Sequence, residues 1–215
     1  MKAVINPTEF PSGLYKAEWF ARNYIYTPEG PGEFPNHHCK KTFDVSLPFV
    51  KKFGTALDIG TRDGEYARYL QHHFQQTYCF DPRKRENFGF NVDLTKTTHF
   101  TCALGNERGK IPMFGGTHDP SHGKPHVVQC LRLDEFGFTN VSYIKIDVEG
   151  FEKKVLMGGE KLIRRDRPLI VIEQNDATLT GESRYAAKEW LEERGYRHAA
   201  TCPRGWDLIM VHDAA

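Results

Sequence analysis

Two carboxylates, Asp147 and Glu149, stand two positions apart at the end of the apolar run Tyr143-Ile144-Lys145-Ile146, and a third, Glu173, closes the run Pro168-Leu169-Ile170-Val171-Ile172. Side chains alternate along an extended chain, so Lys145, Asp147 and Glu149 tend toward one side. Acids gathered at one place raise one another's pKa. That makes Asp147, Glu149 and Glu173 candidate general bases for a hydroxyl nucleophile. Alternatively, Asp147, Glu173 and Asn175 offer the oxygen ligands that Mg²⁺ prefers. The structural alternative is helix capping and dipole stabilisation by Asp147 or Glu149.

A second group lies nearer the N-terminus. Thr55-Ala56-Leu57-Asp58-Ile59 reads as a buried strand that ends in Gly60-Thr61-Arg62-Asp63-Gly64. Gly60 lets the backbone turn sharply and approach a ligand, and Gly64 lets the next helix start close to the sheet. Asp81, followed by Pro82, comes roughly twenty residues after Gly60, the spacing that brings an acid to the next strand's tip to bind ribose hydroxyls. Together these residues indicate an adenosine-type cofactor. A dinucleotide would need a third glycine and free N–H groups at a helix N-terminus for its diphosphate. Arg62 and Asp63 stand where that pattern wants small residues. Acid-bearing loops instead suit the sulfonium and ammonium groups of S-adenosylmethionine. An NAD-dependent oxidoreductase on a related sheet, or a cofactor-binding module without catalysis, are the alternatives.

The elements that must hold these residues follow from the hydrophobic pattern. Strands are expected at residues 55–59, 77–80, 100–104, 110–114, 141–148 and 168–173. Helical spacing links Tyr66, Tyr69, Leu70 and Phe74, then Phe151, Val155, Leu156, Leu162 and Ile163, then Ala187, Trp190 and Leu191 before Gly195. Residues 196–202 and 207–211, joined across Pro203-Arg204-Gly205, predict a terminal hairpin. The fold class is therefore α/β: a doubly wound, mainly parallel sheet with helices on both faces and a C-terminal antiparallel hairpin. Residues 53–215 would form the main domain. Residues 1–52, rich in proline, glycine and aromatics, cannot bury a core of their own and read as an extension packed on it. Short helices are expected there at residues 15–24 and 46–52.

Composition narrows the partners. With 29 Lys and Arg against 28 Asp and Glu, the net charge is +1, too weak to argue for nucleic acid or an anionic membrane. No amino-methylating Asn/Asp-Pro-Pro-Tyr/Phe motif occurs, and no apolar run approaches a membrane span. The five cysteines are scattered and form no C-x-x-C pair. Cys79, Cys102 and Cys130 read as reduced core residues, so the expected location is cytoplasmic. His118, Asp119, His122 and His126 fall in a glycine- and proline-rich stretch that reads as a surface loop, with substrate contact as an alternative, rather than a tetrahedral metal site.

The string Lys145-Ile146-Asp147-Val148-Glu149-Gly150-Phe151-Glu152, followed by Val155-Leu156 and Gly158, resembles the signature of FkbM-type methyltransferases. Leu57-Asp58-Ile59-Gly60, Phe80-Asp81-Pro82, Ala103-Leu104-Gly105-Asn106 with Gly109, Leu131-Arg132-Leu133-Asp134-Glu135 and Pro168–Glu173 extend the similarity over about residues 54–212. The resemblance implies a seven-stranded class I methyltransferase fold and O-methylation of a hydroxyl on a sugar, a glycan or a small metabolite. By that likeness Asp81 would bind the ribose, and Gly60 and Gly64 would frame the cofactor together with Asp58, Thr61, Arg62 and Pro82. Ala103 and Leu104 would lie near the adenine, and Asp147 and Glu149 would face the methyl-transfer centre. Arg62 departs from the asparagine common there. A homo-oligomer is compatible with the sequence.

Overall fold

A computed structural model describes residues 5–9, 38–85, 88–114, 123–174 and 183–214. The expected helix at residues 15–24, His118, Asp119, His122 and Asn175 all lie outside the described residues. Helix α1 (His38–Ser46) leads through a short 3-10 turn into β1 (Thr55–Ile59), α2 (Ala67–His73), β2 (Gln76–Phe80), α3 (Phe88–Asn91) and β3 (Thr97–Phe100). Then come β4 (Ala103–Leu104), β5 (Gly109–Phe114), β6 (Pro125–Leu131) and β7 (Val141–Ile146). Helices α4 (Glu152–Gly158) and α5 (Glu160–Asp166), strand β8 (Leu169–Glu173), helix α6 (Ala186–Glu192) and strands β9 (Tyr196–Thr201) and β10 (Asp207–His212) follow.

Seven strands form one sheet in the order β3-β2-β1-β7-β8-β10-β9. β1 pairs in parallel with β2 and β7, β7 pairs in parallel with β8, and β10 runs antiparallel to both β8 and β9. The strand order reverses between β1 and β7, which opens a crevice at their carboxyl ends. This is the α/β architecture expected from the sequence, including the terminal hairpin.

Strand alternation sorts the side chains. Leu57, Ile59, Ile144, Ile146, Ile170 and Ile172 join one core with Val155, Leu156, Leu162, Ile163, Trp190 and Leu191 from α4, α5 and α6. Ala56, Tyr143, Leu169, Val171 and Ile209 join a second core with Phe43 of α1 and Tyr66, Leu70 and Phe74 at α2. The period of two therefore assigns Asp58, Lys145, Glu173 and Asp207 to the α1–α2 side. In register, Asp58 stands beside Lys145, and Glu173 beside Asp207. Four ionisable residues thus share one face at the top of a largely apolar sheet.

Several boundaries differ from expectation. Residues 100–104 are two strands in different sheets: β3 ends at Phe100, and β4 joins β5 and β6 in a three-stranded sheet ordered β4-β6-β5. β6 itself was not expected. The helix foreseen at residues 46–52 lies earlier, at His38–Ser46, and runs on only as the 3-10 turn Leu47–Phe49 before Val50 turns extended. The apolar stripe after β7 breaks at Gly159 into α4 and α5. Among the described residues, no helix is long and apolar enough to cross a membrane.

Candidate functional site

The turn after β1 is held from two sides. Gly60 and Thr61 donate their N–H groups to the Phe80 carbonyl at 2.9 and 3.0 Å, and Asp147 donates its own to the Ile59 carbonyl at 2.9 Å. Gly60 has φ +84°, and a Cβ there would stand 1.8 Å from the Asp147 carbonyl oxygen. Only glycine permits this contact between the first loop and the tip of β7. Below the turn, the Thr61 hydroxyl donates to Asp58 Oδ2 at 2.6 Å. Burial pushes the Asp58 carboxyl up to about 6, against the pull of that hydrogen bond and of Lys145.

Asp81 closes the loop from the β2 side. Its Oδ2 accepts the Arg62 N–H at 3.2 Å and its Oδ1 accepts the Arg83 N–H at 2.8 Å. Arg62 takes a left-handed backbone with φ 49°, which turns its N–H toward that carboxylate. Burial raises the Asp81 pKa, and the backbone N–H of Arg83 and the Arg85 guanidinium oppose the rise.

At the tip of β7 the charges interlock. The buried Lys145 Nζ lies 3.1 Å from Asp147 Oδ2 and 3.8 Å from Asp207 Oδ1. Burial disfavours its ammonium, but Asp147, Asp207, Asp58 and Glu173 together hold its pKa above the usual lysine value. Glu173 shares a hydrogen bond with Asp147. Burial and the neighbouring Asp147 charge push Glu173 well above the ordinary carboxylate range. Asp147 feels the same burial, yet Lys145 and the Glu173 hydrogen bond bring it below that range. Asp147 is thus the ionised member of the pair and Glu173 the protonated one. Carboxylate oxygens of Asp147, Glu149 and Glu173 lie within 4.8 Å of one another.

These groups open onto one cleft of about 650 Å³. Of the residues singled out from sequence, Asp58, Gly60, Thr61, Arg62, Asp81 and Pro82 line it, as do Ala103, Leu104, Asp147, Glu149 and Glu173. Gly64 does not; with φ +86° it packs against Phe88 and Val92, where a Cβ would meet their side chains at 3.0–3.3 Å. One end of the cleft is an apolar slot between Phe80, Cys102, Leu104, Met113 and Phe151. The other end is polar, with His38, Thr42, Arg204, Trp206 and Asp207. The sequence reading missed this end, since it comes from α1 and the β9–β10 turn, distant in sequence from the strand tips. Thr42 donates to Asp207 Oδ2 at 2.7 Å, and Ser46 and Tyr143 exchange a hydrogen bond at 2.7 Å, fixing α1 against the sheet. Burial and the Arg204 guanidinium hold the His38 imidazole below its usual range.

The family model described as the methyltransferase FkbM domain matches residues 58–198. Among solved structures, the chain is similar to methyltransferase FkbM from Methylobacillus flagellatus KT, at 15% identity and a TM-score of 0.50, covering 90% of this chain and 60% of that one. The chain therefore spans less than two thirds of that protein's length. It is also similar to precorrin 8w decarboxylase from Methanobacterium thermoautotrophicum, at 13% identity and a TM-score of 0.50, over 94% of this chain and 99% of that one. No curated protein matches the chain. With both structures the likeness is one of fold.

Proposed function

The chain belongs to the FkbM methyltransferase family, and on that premise we propose that it is an S-adenosylmethionine-dependent O-methyltransferase whose acceptor is a hydroxyl of a sugar, a glycan or a small metabolite. The observation that carries the reading is the direct bond between the two cofactor elements: the Arg62 N–H, in the turn after β1, meets the Asp81 carboxylate after β2 at 3.2 Å. An acid at a neighbouring strand tip beside a glycine turn is the arrangement that grips an adenosyl ribose.

The residues fit the cofactor. Asp81 has lone pairs left for ribose hydroxyls, the slot between Phe80, Leu104 and Met113 offers an apolar berth for an adenine, and Asp147 presents a carboxylate to a cation. Asp58, Thr61, Pro82 and Ala103 complete the wall. When bound, S-adenosylmethionine supplies an electrophilic methyl group on a positively charged sulfur. The chain's task is to bring a hydroxyl oxygen in line with that methyl, and orientation of this kind accounts for much of the acceleration. Asp147 is placed to take the hydroxyl proton, since it is ionised and lies at the tip of β7 beside the Gly60 turn. Lys145 holds the carboxylate in place at 3.1 Å, while Glu173 donates to it and Glu149 flanks it.

A second reading draws on the closeness of Asp147, Glu149 and Glu173, which would let the trio bind Mg²⁺. The Lys145 ammonium beside Asp147 already neutralises charge at that point, which favours the metal-free reading. Transfer of a labelled methyl group across sugars, glycans and small alcohols tests the proposal. Label in a hydroxyl-bearing acceptor, undiminished in EDTA, is the expected result. A need for added Mg²⁺ would favour the second reading, and label only on nitrogen or carbon would overturn O-methylation.

A further inference from the structure

The polar end of the cleft finishes at the β9–β10 turn, and a set of hydrogen bonds ties that turn together. Gly205 donates to the Cys202 carbonyl at 2.9 Å, Cys202 to the Asp207 carbonyl at 2.9 Å, and Gln174 to the Trp206 carbonyl at 2.6 Å. The Asp207 N–H also meets Cys202 Sγ at 3.3 Å. Two side chains are thereby presented to the cleft from a fixed frame. Trp206 is 47% exposed, unusual for an indole. The Arg204 guanidinium carbon lies 4.0 Å from the Trp206 ring centroid, so the ring holds the cation in place.

At the polar end of the cleft, charge matching singles out Arg204. Lys145 sits between Asp147 and Asp207, and Thr42 also binds Asp207, so these acids are already engaged. Among the described residues, no carboxylate pairs with Arg204. Stacking on an aromatic face leaves the in-plane N–H fork of a guanidinium unspent. Such a fork matches the geometry of a carboxylate or phosphate. The exposed part of the indole suits the apolar face of a ring. Both groups line the same cleft as Asp147, the base assigned above.

We infer that Arg204 and Trp206 form the acceptor subsite, and that the acceptor is a compact ring carrying an oxyanion, either carboxylate or phosphate, in addition to its reacting hydroxyl. This rests on the methyltransferase reading of the cleft. Arg204 is a positioning residue: it anchors the acceptor by the charged group, so that the hydroxyl is directed toward Asp147.

Calorimetric titration of the full chain, saturated with S-adenosylhomocysteine, tests this with glucuronate, glucose 6-phosphate and the uncharged methyl glucoside. The expected result is that at least one anionic sugar binds ten-fold or more tightly than the uncharged one. Tighter glucuronate assigns a carboxylate, and tighter glucose 6-phosphate a phosphate. Arg204→Gln should erase that preference while leaving the affinity for S-adenosylhomocysteine within two-fold, and Arg204→Lys should restore part of it. Trp206→Ala should weaken charged and uncharged sugars alike. Equal affinity for all three, failure of both anionic sugars to bind, or an unchanged preference in Arg204→Gln would overturn the inference. Absence of S-adenosylhomocysteine binding itself would instead overturn the methyltransferase reading, and this subsite with it.

Discussion

Gly60 rests against the backbone of Asp147 so closely that a Cβ on Gly60 would stand 1.8 Å from the Asp147 carbonyl oxygen. The contact welds the first loop to the strand tip that carries the proposed base. It also means that any side chain at position 60 must push β1 and β7 apart.

Gly60→Ala should therefore destabilise the fold by at least about 2 kcal/mol, combining overpacking with a backbone at positive φ. Denaturant unfolding would measure the loss, and binding of S-adenosylhomocysteine should weaken in parallel. A variant of wild-type stability would show that the two strand tips are not in fact in contact.

Asp81 supports the turn through two backbone N–H groups and is proposed to take the ribose through its remaining lone pairs. Asp81→Asn keeps the shape but removes the charge from those hydrogen bonds. Bonds to a charged group contribute about 1.5–3 kcal/mol, so affinity for S-adenosylhomocysteine should fall about 10- to 100-fold by calorimetry. Unchanged affinity would place the ribose elsewhere.

The Asp147–Glu173 pair separates two roles. With Asp147 ionised and Glu173 protonated, Asp147→Asn should cost about 10²–10⁴ in kcat, the range of general base catalysis. Glu173→Gln keeps a donor to Asp147 and should leave kcat within about ten-fold of wild type. The reverse order of severity, read from steady-state kinetics, would move the base to Glu173.

Asp58 gives the protein a pH signature. Burial raises its carboxyl from 3.8 to about 6 in the folded chain, so the native state holds this proton more tightly than the unfolded one. The stability it contributes is fully present below the unfolded pKa and is lost as pH rises through the folded pKa. Between about pH 4 and about pH 7, wild type should lose up to about 3 kcal/mol relative to Asp58→Asn, at about 1.4 kcal/mol per pKa unit. Urea unfolding of both proteins across that window measures the difference. A gap that does not change with pH would contradict it.

The legible parts of the fold and site are local ones. Asp58, Gly60, Asp81, Asp147 and Glu173 each sit at or just after the end of an apolar run, and strand ends in a parallel sheet share one edge, so their convergence followed from position alone. Boundaries failed where a local signal was overridden. Residues 100–104 look like one strand by composition, but the chain leaves the main sheet after Phe100 and β4 pairs with β6 instead. β6 went unrecognised because glycines and prolines precede it and because polar His126 shares the inward side with Val128 and Cys130 while apolar Val127 faces outward with Gln129, which blurs the alternation expected of a strand. The spacing of Gly64 from Gly60 suggests a place in the cofactor frame, whereas its neighbours are Phe88 and Val92. His38, Thr42, Arg204 and Trp206 carried no signal in the sequence, since only tertiary pairing of α1 and the β9–β10 turn brings them to the cleft.

The decisive measurement is a crystal structure of the protein with S-adenosylhomocysteine bound. Ribose hydroxyls should lie within hydrogen-bonding distance of the Asp81 carboxylate, the adenine in the slot beside Leu104 and Met113, and the sulfur facing the Asp147 side of the cleft. A ligand whose ribose lies away from Asp81, or a cleft left empty at saturating concentration, would contradict it.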